Sequence, residues 1–106
     1  MTQDTPNLVK LSLAAPLHLE EELVEQFLER PEWASGFTVF KAEGYSRHHE
    51  TLSAQELVRG RTQRMLVQIV LEADNAQALL AHLKRRFPKG DVAYSLEPVI
   101  EFGRLA

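Results

Sequence analysis

The stretch from Gly36 to Ala73 contains two strand-like runs at a separation that few folds accommodate. GFTVFKAEGYS is rich in β-branched and aromatic residues, and in RMLVQIVLEA the apolar Met65, Val67, Ile69 and Leu71 recur at every second position, on one face of a strand. A hairpin needs about two to five connecting residues, and longer connections in compact domains are usually functional. The intervening RHHETLSAQELVRGRTQ is far longer than that and has its own punctuation. Ser53 and Glu56 stand at capping-box spacing, with Leu52 and Leu57 placed as a hydrophobic staple, so a short helix is predicted from Ala54. Gly60 offers it a left-handed stop. An arm over residues 47–64 is therefore expected to protrude between two strands that hold its ends.

The remaining elements follow from changes of period. Residues 1–7 are polar, include Pro6, and read as a loose end. In LVKLSLA the residues Val9, Leu11 and Leu13 alternate with Lys10 and Ser12, as in a strand with one buried face, and Pro16 closes it. Helical spacing begins at Leu19, with Leu19, Leu23, Val24, Phe27 and Leu28 on one stripe. Glu20, Glu21 and Glu22 favour the positive end of its dipole, and Pro31 stops it. Trp33 follows as a cover for the core edge. After the third strand Asp74 and Gln77 are spaced to cap a second helix, whose apolar face is Ala76, Leu79, Leu80, Leu83 and Phe87. Lys84, Arg85 and Arg86 complement its C-terminal end, and Pro88 and Gly90 terminate it. Val92, Tyr94 and Leu96 alternate as a fourth strand, and VIEF suggests a short fifth.

The order strand, helix, strand, strand, helix, strand predicts an α+β, ferredoxin-like βαββαβ sandwich, an antiparallel sheet with two helices on one face. Two helices cover only that face. By alternation the other holds Lys10, Ser12, Thr38, Phe40, Leu66, Gln68, Val70, Ala93 and Ser95, too apolar for water and too polar for a core. Burial against other subunits is the expectation.

At 106 residues the chain suits one domain, 1–106. A formal net charge of −3 argues against nucleic-acid binding or a general affinity for anionic membranes. No apolar run approaches the roughly 20 residues a membrane span requires, and MTQDTPN lacks the basic-then-apolar pattern of a secretory signal, which points to a cytoplasmic protein without membrane insertion. Cysteine is absent, which excludes thiolate metal sites and cysteine nucleophiles. No nucleophile elbow, Walker loop, dinucleotide glycine set or helical zinc-protease motif is present, so no enzyme is expected and no cofactor is indicated.

Two constellations remain. Arg59, Arg61 and Arg64 follow the predicted short helix, where guanidinium groups suit a carboxylate, a phosphate or an acidic partner, and Lys89 beside Gly90 can face an anion at the arm's base. Solvated charges and a helix-terminal turn are the plainer readings. His48, His49 and Glu50 are candidate metal ligands, with His48 and Glu50 sharing a side of an extended segment. A zinc-like site needs about four ligands, so other subunits or water would have to complete it. Exposed histidines that charge below neutral pH are the alternative. His18 and His82 stand alone on helices and read as surface or packing residues.

The helix HLEEELVEQFLER, the following SGFTVF, the segment HHETLSAQELVRGRTQRMLVQIVL and the tail EPVIEFGRL together resemble PII-like proteins, in particular a small family of unknown function often encoded beside heavy-metal efflux systems. That resemblance spans nearly the whole chain. It implies a homotrimer with its three sheets facing inward, small-ligand clefts between subunits, and a loop between strands two and three that docks on a transporter or other partner. It therefore implies a non-enzymatic regulatory or sensory protein, linked to heavy-metal efflux, whose arm responds to a small anion or divalent metal. Two features depart from the nucleotide-sensing PII proteins. The turn after the second helix is only Pro88, Lys89, Gly90 and Asp91, without their glycine-rich phosphate cradle, and EFGRLA keeps Arg104 alone of their terminal basic cluster. Nucleotide sensing is not carried over with the resemblance. The competing reading is a metal-binding trimer similar to the CutA divalent-cation tolerance proteins, with His48, His49 and Glu50 as ligands.

Overall fold

The computed structural model of the chain describes residues 7–34, 36–45, 62–89 and 91–105. Strand β1 (Leu8–Pro16) passes through a 3-10 turn (Leu17–Leu19) into helix α1 (Glu20–Leu28). Strands β2 (Thr38–Gly44) and β3 (Thr62–Glu72) follow, then helix α2 (Ala73–Arg86) and strand β4 (Ala93–Pro98). The sheet has the order β2-β3-β1-β4, with every neighbouring pair antiparallel. This is the ferredoxin-like α+β arrangement that the order of periodicities predicts.

Register explains why one face is a core. Leu11 stands opposite Ile69, Leu13 opposite Val67 and Ala15 opposite Met65, so the apolar positions of the two central strands fall on the same side. All six are buried and join one cluster with Leu23 and Phe27 of α1 and Ala76, Leu79, Leu80 and Leu83 of α2. Each of the larger side chains among them, removed from water, contributes about 1.5–3 kcal/mol. Phe27 also tilts against Phe37 with ring centroids 4.9 Å apart, which pins the chain entering β2 to the helix layer. Trp33 is half-buried at the edge of the cluster, with the Arg30 guanidinium 5.6 Å from its ring centroid.

The opposite face assembles the residues that alternation places there. Phe40 pairs with Leu66, which pairs with Ala14, which pairs with Ala93, giving an apolar row across all four strands. Beside it runs a polar row of Thr38, Gln68, Ser12 and Ser95. Phe40 is 41% exposed.

Four local features differ from the sequence expectation. Leu28 is 67% exposed, and the position meeting α2 belongs instead to Gln26, a buried polar residue bonded to His82. Helix α2 begins at Ala73 with Glu72 as an extended N-cap and no side-chain cap, so Asp74 lies inside the first turn instead of capping it. The Ala73 N–H donates to the Asn7 carbonyl at 2.8 Å, so the start of the helix is partnered by the chain entering β1. VIEF forms no fifth strand: Val99 N–H still reaches the Leu8 carbonyl at 3.1 Å, but β1 begins at Leu8 and the ladder ends with it. Finally, β3 reaches back to Thr62, so Arg64 is a strand residue paired with Ala42, not part of a loop.

Candidate functional site

At the end of the sheet where the arm departs, β2 and β3 pair as far as Gly44 and Thr62. Their last side chains, Lys41, Glu43, Gln63 and Arg64, border a shallow crevice of about 240 Å³ with Leu17. Arg64 Nη1 donates to the Asp91 carbonyl at 3.3 Å. That bond ties the start of β3 to the turn between α2 and β4, which also carries the exposed Lys89. The Arg64 stem runs so close over Gly44 that a Cβ there would lie 3.0 Å from Arg64 Cγ. Glycine at 44 thus leaves room for the arginine to cross. Of the residues singled out in the sequence, Arg64 and Lys89 are brought to this end. Arg59, Arg61, Gly90, His48, His49 and Glu50 lie outside the described residues, as do Ser53, Glu56 and the short helix expected from Ala54.

A larger crevice, about 380 Å³, opens on the uncovered sheet face at the other end. Lys10 and Arg104 supply its cations, Thr38 and Gln68 its neutral polar groups, and Val70 and Phe102 its apolar surface, with Gly36 and Phe37 at its edge. The tail residues Phe102 and Arg104 close over strand residues far away in sequence, so this wall forms only when β4 is in place. Lys10 Nζ stands 3.5 Å from Glu97 Oε1 on the neighbouring strand, a partly exposed pair. Sequence reasoning placed Lys10, Thr38 and Gln68 on this face as interface residues and took Arg104 as an isolated cation. The signal that they share a crevice was register, which periodicity alone does not supply.

On the helix layer, His82 Nε2 lies 2.6 Å from Gln26 Oε1, and its ring centroid is 6.1 Å from that of Trp33. Burial, together with Arg30, Arg85 and Arg86 and against the opposing pull of Glu29, lowers the His82 pKa below its ordinary value. Its place is structural, joining α2 to α1. His18 is exposed on the 3-10 turn. Among the described residues no three of His, Asp and Glu gather to hold a metal ion, and no described helix is long and apolar enough to cross a membrane.

Sheet order, helix placement and the uncovered half-apolar face define a ferredoxin-like α+β protein built around a sheet-face crevice. The chain belongs to the DUF3240 family, described as proteins of unknown function, whose model matches residues 5–106. It is similar in fold to the crystal structure of a DUF3240 family protein from Shewanella baltica OS155 (22% identity, TM-score 0.77, 96% of this chain and 100% of that one). It is similar as well to CPII, a nitrogen regulatory PII-like protein from Thiomonas intermedia K12 bound to ADP, AMP and bicarbonate (16% identity, TM-score 0.68, 92% and 93%). The periplasmic divalent cation tolerance protein CutA from Archaeoglobus fulgidus shares the fold at 10% identity and TM-score 0.68, over 92% and 88% of the two chains. No curated protein matches the chain in sequence.

Proposed function

We propose that the protein is a non-enzymatic, PII-like regulatory trimer. Its uncovered sheet faces pack against one another, its sheet-face crevices become ligand clefts between subunits, and its segment between β2 and β3 docks on a transporter or other partner, in keeping with heavy-metal efflux. The observation that carries this reading is the apolar row Phe40, Leu66, Ala14 and Ala93, which runs unbroken across a face that neither helix covers. A row of that kind is costly in water and stable when a second copy covers it. The fold shared with PII-like proteins supports the same arrangement.

Sedimentation tests the assembly. The native chain should sediment at three times its own mass at micromolar concentration, and Phe40→Asp should sediment as a monomer with its circular dichroism unchanged. A native chain that is monomeric overturns the trimer. Docking is tested by pull-down against components of a heavy-metal efflux system with a double Arg59→Ala, Arg61→Ala variant, which should lose capture while keeping its mass. Arg64 is left intact because its bond to the Asp91 carbonyl is structural.

A further inference from the structure

We infer that the sheet-face crevice selects a small organic carboxylate carrying an apolar or aromatic body, an inference that rests on the ligand-cleft reading above and narrows it to one chemical class. The wall is one-signed: Lys10 and Arg104 are its charged members, and no acidic residue lines it among the described residues. Cations without a carboxylate between them set a positive potential in a concave site, which favours an anion and disfavours a metal or an amine. Arg104 has no carboxylate partner among the described residues, so its guanidinium fork is available. Among the described residues Lys10 is held by Glu97, at 3.5 Å in a partly exposed pair; a pair of that kind is weak, and an incoming carboxylate can replace it.

Size and surface set the rest of the ligand. A volume of about 380 Å³ lies near the small end of ligand sites and equals the space of roughly a dozen waters. Phe102 offers aromatic surface and Val70 aliphatic surface from two separate segments, which suits a flat or branched apolar body. Thr38 and Gln68 add neutral hydrogen-bonding groups that orient a ligand without changing the charge preference. A nucleotide's phosphates would need more donors than Lys10, Arg104, Thr38 and Gln68 supply.

The test is calorimetry on the full chain with four probes: sodium benzoate, benzyl alcohol, benzylamine and ADP. Benzoate should bind saturably, and Lys10→Gln and Arg104→Gln should each weaken it about fivefold or more, with Lys84→Gln on the exposed side of α2 unchanged as the surface control. Should either variant fold poorly, amide resonances of Thr38, Gln68 and Phe102 in the native chain must shift with benzoate and not with benzylamine. Equal binding of benzyl alcohol or benzylamine, preference for ADP, or insensitivity to Lys10 and Arg104 overturns the carboxylate inference and leaves a ligand crevice standing. Binding of none of the four overturns both.

Discussion

His82 Nε2 donates to Gln26 Oε1 across 2.6 Å, joining the two helices through the buried polar side chain of the core. Burial of the imidazole, and after it the charges of Arg30, Arg85 and Arg86 against the opposing pull of Glu29, place its pKa in the folded chain below the ordinary 6.5. The unfolded chain therefore binds this proton more readily than the folded one. The contribution of neutral His82 is complete above about pH 6.5 and is lost as pH falls through its lower folded-state value. Urea unfolding of His82→Gln should show a flatter decline between pH 7 and pH 5 than the native chain. Gln26→Leu, which removes the acceptor, should cost up to about 1 kcal/mol at pH 7.5.

Gly44 and Arg64 form a second coupled pair, because the arginine stem crosses where a Cβ at 44 would stand, 3.0 Å from Arg64 Cγ. Gly44→Ala should destabilise the native chain by about 0.5–1 kcal/mol and be neutral or stabilising in an Arg64→Ala background, where a strand interior prefers alanine. Chemical denaturation of the two single variants and the double variant closes the cycle. Additive effects would remove the steric coupling.

Neighbouring residues of α1 should respond very differently to truncation. Phe27 is fully buried and packs against Phe37, so Phe27→Ala should cost about 3–5 kcal/mol. Leu28 is 67% exposed, and Leu28→Ala should stay within about 0.5 kcal/mol in a single subunit. Thermal melts of the two variants read the difference directly.

Metal titration separates the regulatory reading from the cation-tolerance reading. Calorimetry with copper, zinc, cobalt and nickel should give no saturable uptake that depends on His48 and His49, so the native chain and the double His48→Ala, His49→Ala variant should give the same isotherm. A stoichiometric heat lost in the variant would favour the metal-binding alternative.

The layered architecture was legible because its signals are local. Alternation in LVKLSLA and RMLVQIVLEA, and helical spacing through Leu79, Leu80 and Leu83, set both element type and buried face without knowledge of the partners. Readings failed where a distant group supplied what local chemistry had to be assumed to supply. Asp74 was expected to cap α2, yet the Asn7 carbonyl already accepts the Ala73 N–H. Leu28 was counted on the apolar stripe, yet Gln26, bonded to His82 of α2, holds the position that meets the second helix.

By itself the sequence determined the order of strands and helices and which residues share each face, since both follow from periods of 2 and 3.6 residues along the chain. Only the tertiary structure decided that Arg64 is committed to the Asp91 carbonyl, that Gln26 meets His82, and that Arg104 closes over a crevice with Lys10. Those meetings join residues separated by 27 positions, by 56, and by most of the chain. Strand register and helix packing fix such distances, and neither is written in any single window of residues.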